Sequence, residues 1–137
     1  MAPTIFDDLP MLPVARLLGW ELIAVNPGAG TIEVGFLART EFTNPFGFVQ
    51  GGLVAAMLDD TLGPAPFAIA AGTNTITTID LHIYFVRPVR PSRTTAKAEV
   101  VSMGRSIAFL RGELFDADGM LCATATASAM LTDYRSG

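Results

Sequence analysis

Residues 44 to 60 read NPFGFVQGGLVAAMLDD, and the interpretation of the whole chain starts from this stretch. After a short loop, Gly51 and Gly52 open an apolar run, and two adjacent carboxylates, Asp59 and Asp60, follow it. The run consists mostly of good helix formers, and a helix that is apolar on every side is normally buried. Two glycines at its start leave backbone N–H groups bare and let a ligand approach them closely. The stretch therefore predicts a buried helix with an oxyanion-binding start and a buried carboxylate near its end.

The composition limits the class of protein. The chain has 137 residues, which predicts one domain over residues 1–137 with a core that needs no disulfides. Hydrophobic residues make up 50% and charged residues only 16%, against roughly 25% charged in an average protein. So little charge indicates that a second copy covers part of the apolar surface, and we expect a homo-oligomer. The net charge of −4 argues against a nucleic-acid-binding protein.

Cysteine usage and the N-terminal sequence predict a cytoplasmic protein without a metal centre. Cys122 is the only cysteine, so neither an intrachain disulfide nor a cysteine-based metal cluster is expected. The first residues lack a basic segment and include Asp7 and Asp8, which is unlike a signal peptide. No run of about 18 apolar residues escapes a charge or a proline, so we expect no membrane span.

The hydrophobic pattern predicts two strands, one long helix and then four more strands. Tight turns between strands favour an antiparallel sheet, with the long helix packed on one of its faces. The fold class is therefore predicted as α+β. Strands are predicted at residues 20–25, 31–36, 75–85, 94–103, 106–115 and 121–129, and helices at 9–18 and 51–62, with a further turn at 67–71.

Two local patterns give sharper expectations. Pro64 and Pro66 predict that the central helix stops or kinks soon after residue 62, because proline disrupts a helix interior. The strand from Thr75 alternates, so its side chains should divide between two faces. One face should carry Ile79, Leu81, Ile83 and Phe85, and the other Thr78, Asp80, His82 and Tyr84.

Two motifs, at fixed spacing, resemble a known family. Asn44, Gly47, the pair Gly51-Gly52 and Asp59 match a pattern close to N-x-x-G-x-x-H-G-G-x-x-x-x-x-x-D, and residues 78–88 form a strand that ends in proline. Together they resemble the hotdog-fold thioesterases of the PaaI-like and 4-hydroxybenzoyl-CoA thioesterase group, over about residues 31–131. The resemblance implies a curved antiparallel six-stranded sheet wrapped around one central helix. It also implies an active site between two protomers.

The resemblance also implies roles for individual residues. The catalytic carboxylate falls on Asp59, and the amide that polarises the thioester carbonyl falls on Gly51, with Gly52 beside the substrate. The polar residue that holds substrate or water falls on Asn44, and a strand hydroxyl facing the reaction centre falls on Thr78. Two plainer interpretations stay open, because Asn44 can be a helix-capping loop residue and Thr78 a simple strand former.

One position departs from the family pattern. Gln50 stands where the family commonly has histidine. Glutamine donates and accepts hydrogen bonds but cannot titrate. Gln50 can therefore replace a histidine that orients groups, or cap the helix, but it cannot replace one that acts as an acid or a base.

The spacing along the helix predicts a shared site. Gly51 and Asp59 are eight residues apart, which is about 12 Å at the usual rise of about 1.5 Å per residue. A reacting carbonyl must lie about 3 Å from both its oxyanion donor and its nucleophile. If both residues act on one carbonyl, Asp59 has to come from a second subunit. We expect a homodimer as the catalytic unit and a homotetramer as the assembly.

Five of the nine basic residues fall between positions 87 and 105. Arginine matches the geometry of phosphate groups, and coenzyme A carries phosphates. The cluster is a candidate for binding the nucleotide part of an acyl-CoA substrate, or else a solvated rim of the protein. No other cofactor is implied. The cluster consists of Arg87, Arg90, Arg93, Lys97 and Arg105.

The sequence therefore predicts an acyl-CoA thioesterase acting on a small aromatic or a short- or medium-chain acyl group. Asp59 serves as general base for water or attacks the carbonyl itself, and the sequence does not separate these routes. Several large side chains can line an acyl pocket or belong to the core. These are Phe46, Phe48, Phe67, Phe85 and Met57. The alternatives are a non-catalytic acyl-CoA-binding or sensing protein and, less favoured, an enoyl-CoA hydratase or dehydratase, which usually needs a histidine beside the carboxylate.

Overall fold

The computed structural model describes residues 4, 6–7, 12–69 and 74–133. The helices are α1 (Pro13–Leu18), α2 (Gly51–Leu62) and α3 (Pro64–Ile69), with one 3-10 turn at Thr40–Phe42. The strands are β1 (Glu21–Asn26), β2 (Thr31–Ala38), β3 (Asn74–Phe85), β4 (Ser92–Met103), β5 (Ile107–Phe115) and β6 (Leu121–Asp133).

All six strands form one antiparallel sheet in the order β1-β2-β4-β5-β6-β3. Helix α2 lies across one face and contacts five of the six strands, from β2 to β6. The predicted α+β arrangement, with an antiparallel sheet around one long helix, is confirmed. No helix within the described ranges is long and apolar enough to cross a membrane.

Apolar side chains hold helix α2 on the sheet, and small residues on the inner face of the sheet let the helix pack closely. Met57, Leu58 and Leu62 are fully or almost fully buried. The buried Thr61 satisfies its hydroxyl by donating to Met57 O at 2.8 Å. At Gly112 an added Cβ would lie 3.2 Å from Leu62 Cδ2, so glycine lets the helix approach the sheet. The inward positions of β6 are mostly alanines, which leave the same room: Ala123, Ala125, Ala127 and Ala129.

The helix boundaries in the structure agree only partly with those predicted from the sequence. The predicted bounds of the central helix, 51–62, are those of α2. The short helix that follows begins at Pro64 rather than near Phe67, because proline is well tolerated in the first turn of a helix, where no N–H is needed. The helix predicted from residue 9 is described from Pro13 onward, and residues 8–11 lie outside the described part.

The predicted faces of β3 are wrong at one point. The register against β6 skips Ile79, since Thr78 lies opposite Ala129 and Asp80 lies opposite Ser128. A bulge of this kind adds one residue and shifts the alternation. Thr78 therefore shares the inward face with Ala129, while Ile79 is 56% exposed. The Asp80 carboxylate accepts hydrogen bonds from the Ser128 hydroxyl and N–H, and these bonds hold the pKa of Asp80 below its ordinary value.

The packing of α2 predicts the cost of a cavity. Leu58→Ala should lower the free energy of unfolding by about 2–5 kcal/mol, because Leu58 is fully buried between helix and sheet. Leu17→Ala is the control, since Leu17 on α1 is 50% exposed and should change stability little. Urea titration followed by circular dichroism measures both. Equal losses in the two variants would contradict the packing described above.

Candidate active site

The loop before α2 is shaped by Asn44. Its side-chain oxygen accepts hydrogen bonds from the N–H groups of Phe46 at 3.0 Å and Phe48 at 3.2 Å. Gly47 adopts a φ of 85°, a left-handed conformation that glycine takes without strain. The Asn44 oxygen is thus used within the loop. Only its amide N–H₂ group is left for a ligand. The role that the resemblance implied, holding substrate or water, is therefore limited to donating a hydrogen bond.

Helix α2 begins with unpaired backbone donors. The Gln50 carbonyl accepts from Leu53 N and Val54 N, and Gln50 N donates to Phe42 O. The side chain of Gln50 is exposed and does not cap the helix. Among the described residues, neither Gly51 N nor Gly52 N has an acceptor. Two N–H groups at the positive end of a helix dipole form an anion-binding site.

A groove of about 330 Å³ runs past this helix start. The ring of Phe85 packs on Gly51, where an added Cβ would lie 3.3 Å from Phe85 Cζ. Any side chain larger than glycine at position 51 would push the ring away. The groove is lined by Asn44, Phe48, Val49, Gly51, Val54, Phe85, Val86, Arg87, Pro88, Val89 and Cys122.

At the other end of α2, the hydroxyl of Thr78 donates to Asp59 Oδ1 at 2.9 Å. The bulge at Ile79 makes this contact possible, because it turns Thr78 toward the helix. Asp59 is exposed in the single chain. The buried carboxylate expected near the end of α2 is therefore not Asp59 in the protomer, because Asp59 lies on the side of the helix end that faces solvent. The carboxylate is open to solvent and held at a fixed place on β3.

The burial expected for a carboxylate of α2 falls on Asp60 instead. Burial, and secondarily the charge of Asp59, raises the pKa of Asp60 from its ordinary 3.8 to about 6. Its Oδ2 is buried and has no hydrogen-bond partner in the described part of the chain. The indole N–H of Trp20 donates to the backbone oxygen of Asp60 at 3.0 Å. Asp60 thus belongs to the packing of the helix end.

One protomer does not bring the two halves of the expected site together. Gly51 and Asp59 stand at the two ends of α2, eight residues apart. Each end of the helix rests on a different part of β3, Gly51 against Phe85 and Asp59 against Thr78. A single carbonyl cannot reach both groups within one chain.

The five basic residues do not form one cluster. Arg87 and Arg90 lie beside the groove, where Arg87 donates to Leu121 O at 2.8 Å and Arg90 stacks 4.9 Å above the Phe48 ring. Arg93 and Lys97 point to the outer face of β4, and Arg93 pairs with Glu21. Arg105 lies in the β4–β5 turn, at the opposite end of β4. These residues are close in sequence but not in space, because the twelve-residue strand β4 separates Arg105 from Arg87 and Arg90.

The large side chains proposed for an acyl pocket lie in different parts of the structure. Phe48 and Phe85 line the groove, and Phe46 is 83% exposed on the loop beside it. Met57 is part of the core, and Phe67 packs against Phe6 with ring centroids 6.1 Å apart. Cys122 is buried, yet it also lines the groove, and no pattern in the sequence indicates this.

Comparison with known proteins identifies the class. The sequence model of the thioesterase superfamily matches residues 46–123, from the loop before α2 into β6. This is more than half of the chain, so the chain belongs to the thioesterase superfamily and is a thioester hydrolase. The predicted resemblance to hotdog-fold thioesterases is confirmed.

Individual relatives agree with this class. The crystal structure of a candidate thioesterase from Ralstonia eutropha JMP134, described as related to phenylacetic acid degradation, is 36% identical with a TM-score of 0.87, covering 92% of this chain and 95% of that one. A candidate esterase of Saccharolobus solfataricus is 27% identical over 115 residues, 84% of this chain and 80% of its own. The Escherichia coli PaaI protein from the phenylacetic acid degradation operon, 18% identical, shares the fold with a TM-score of 0.76 over 86% of this chain and 83% of its own.

The raised pKa of Asp60 predicts a pH-dependent stability. The unfolded chain ionises this carboxyl near 3.8 and the folded chain near 6, so stability is lost as pH rises through that window. Asp60→Asn removes the ionisation. The melting temperature of the variant, relative to the natural protein, should rise between about pH 4 and pH 6 and then stay constant. Thermal melts across this range test it, and a difference that is independent of pH would contradict the assignment.

Proposed function

We propose that this chain hydrolyses acyl-CoA thioesters in a site shared by two subunits. The observation that carries the proposal is the bare N–H group of Gly51, beside that of Gly52, at a helix start that lines a groove. The Gly51 N–H binds the thioester oxygen, and Asp59 of the partner subunit acts on the carbonyl carbon. The acyl group is a small aromatic or a short- or medium-chain one, because the groove beside Gly51 is apolar and small.

The Gly51 amide supplies the stabilisation that thioester hydrolysis needs most. Negative charge develops on the carbonyl oxygen as water or a carboxylate adds to the carbon. A fixed N–H at a helix start meets that charge without reorganisation, and losing one such donor costs on the order of 100- to 1,000-fold in rate in other enzymes. Gly51 has no competing acceptor among the described residues, so its N–H is free for the substrate. The Phe85 ring beside it keeps water away from one side.

Asp59 is suited to act on water or on the carbonyl. Thr78 binds one carboxylate oxygen, Oδ1, which fixes the group, and within the described residues Oδ2 has no hydrogen-bond partner. As a general base, Asp59 takes a proton from water, whose oxygen forms the new C–O bond while coenzyme A leaves as the thiolate. As a nucleophile, it forms an anhydride that water then cleaves. Both routes use the same free oxygen, and both need the carboxylate to be ionised.

Coenzyme A binds along the surface beside Arg87 and Arg90. A second groove, of about 410 Å³, shares Phe48, Arg87 and Pro88 with the groove at Gly51, so the two grooves lie side by side. Arg87 and Arg90 are exposed residues beside this second groove, where the chain of coenzyme A would leave the site. Arginine binds phosphate through paired hydrogen bonds, which favours this end for the nucleotide.

Two rival functions fit less well. A hydratase needs a histidine near the carboxylate, but the only histidine, His82, faces the outer side of β3, opposite Thr126. A non-catalytic acyl-CoA sensor would tolerate Gln50, which is exposed and cannot titrate. The sensor would have no use for a carboxylate held by Thr78. A cytoplasmic location, a single domain over 1–137 and the pairing of dimers into a tetramer stay predictions from sequence.

Asp59→Asn tests the catalytic role. Asparagine keeps the shape and the bond from Thr78 but neither accepts a proton nor attacks, so turnover should fall on the order of 100-fold or more. Thiol release from a panel of acyl-CoA thioesters measures it, with circular dichroism to confirm the fold. Asp60→Asn, the neighbouring carboxylate, is the matched control and should keep turnover. Full activity in Asp59→Asn would end the proposal, and tight acyl-CoA binding without thiol release in the natural protein would favour the sensor.

Arg90→Ala tests the coenzyme A end. The loss of one charged contact to phosphate should raise KM for an acyl-CoA by about 10-fold. The N-acetylcysteamine thioester of the same acid lacks the nucleotide, so its KM should not change. Arg105→Ala, at the far end of β4, should leave both substrates unaffected. An equal rise for both substrates would show that Arg90 acts through Phe48 and the loop rather than through phosphate.

A further inference from the structure

The groove at Gly51 has an exposed side and a buried side. Arg87 and Pro88 are exposed, and both also line the second groove, which is proposed for coenzyme A. Because coenzyme A leaves on the exposed side, the acyl group of a bound thioester faces the buried one. The buried side is lined by Val49, Val54, Val89 and Cys122.

Val54 forms a rigid wall on this buried side. It lies three residues after Gly51 on α2, so the two residues share one face of the helix. Side chains on a helix tilt toward its N-terminus, which brings the Val54 methyl groups beside the first turn. Val54 is only 3% exposed, and a β-branched side chain on a helix has one strongly preferred rotamer. The methyl groups therefore cannot turn away from an acyl group.

Phe85 forms a second wall, and this wall is a surface side chain. Its ring points tip-first at Gly51, with Cζ 3.3 Å and Cε1 3.5 Å from the position of an added Cβ. The ring thus takes the space that a side chain at position 51 would fill, next to the N–H proposed to bind the thioester oxygen. Phe85 is 58% exposed, so it can be replaced without opening a cavity in the core.

We propose that Phe85 and Val54 make this enzyme select thioesters whose acyl chain is unbranched at the α-carbon, the carbon next to the carbonyl. Phe85 is the residue that sets the preference, because Val54 is fixed by the core around it. The inference rests on the proposed function, since it takes the thioester oxygen to lie on the Gly51 N–H.

The α-carbon of the bound acyl group has little freedom of position. A hydrogen bond of about 2.9 Å fixes the carbonyl oxygen at Gly51, and the α-carbon lies one bond of about 1.5 Å beyond the carbonyl carbon. A methyl branch adds a carbon there that needs about 3.5–4.0 Å from each neighbouring carbon. The tip of the Phe85 ring already lies within this distance of the Gly51 Cβ position, so the branch meets the ring on one side or Val54 on the other.

Isomeric substrates separate the effect of branching from the effect of size. Butyryl-CoA and isobutyryl-CoA contain the same atoms and differ only in where one methyl group is attached. The corresponding aromatic pair is 3-phenylpropanoyl-CoA and 2-phenylpropanoyl-CoA. In each pair the natural protein should hydrolyse the unbranched isomer with a kcat/KM higher by about 10-fold or more, which is typical for one misplaced methyl group in a closed pocket. Thiol release measures both rates.

Phe85→Ala removes the ring, so the preference within each pair should fall by about 10-fold. Phe85→Leu keeps an apolar side chain without the ring tip, should give an intermediate preference, and replaces the alanine variant if that one is inactive. Tyr84→Ala is the matched control, because Tyr84 is the adjacent aromatic residue, 66% exposed on the outer face of β3, and its loss should leave the preference unchanged. A general loss of activity cancels, because both isomers are compared on one preparation.

Equal rates for the two isomers with the natural protein would overturn the inference and leave the proposed function in place. An undiminished preference in both Phe85 variants, or an equal relaxation in Tyr84→Ala, would overturn the role of the Phe85 ring. Thiol release from no acyl-CoA at all would overturn the proposed function, and the inference with it.

Discussion

The length of helix α2 is the constraint on which the proposed site depends. Twelve residues separate its bare N-terminal amides from its C-terminal end, and the core on either side keeps the helix straight against the sheet. Gly51 and Asp59 therefore cannot approach each other within one chain. An oxyanion donor and a carboxylate on opposite ends of a rigid helix can share a substrate only when two helices run in opposite directions side by side. The helix thus specifies both the chemistry and the need for a partner.

Strand β3 contacts both ends of α2 and so fixes where Gly51 and Asp59 lie. The bulge at Ile79 rotates Thr78 onto the inner face, where its hydroxyl fixes Asp59. The same strand carries Phe85, which lies on Gly51. One strand thereby contacts both groups of the proposed site. Its outer edge, which has no strand beside it within the described part of the chain, explains why a chain with only 16% charged residues leaves so much apolar surface uncovered.

Most of the fold was predictable from local pattern. The bounds of α2, the order of the elements and the antiparallel sheet all follow from apolar periodicity and turn residues, which act over a few positions. The bulge at Ile79 was not predicted, although the alternation of apolar and polar residues in β3 changes phase there, with Thr77 and Thr78 in succession between Ile76 and Ile79. Register shifts depend on the facing strand, which a single sequence does not display.

The candidate site was also predictable only in part. Gly51, Asn44 and Asp59 were proposed from a spaced motif, and the structure adds a contact between Thr78 and Asp59. The grouping of basic residues failed, since Arg93 pairs with Glu21 on the outer face of β4 and Arg105 lies in the turn at the far end of that strand. Burial was assigned to the wrong neighbour as well. Asp59 and Asp60 are adjacent in sequence but lie about 100° apart around a helix, so one faces outward and the other faces the packed end.

The alanines on the inner face of β6 have a consequence for the evolution of substrate preference. The small side chains of this strand allow the helix to lie close to the sheet, and the side chains between them are fully buried. Room for an acyl group must then come from surface side chains around the groove and from whatever the neighbouring subunit contributes. Such positions can change size with little effect on folding. New substrates can therefore be acquired by substitutions at the subunit boundary, while the interior stays as it is.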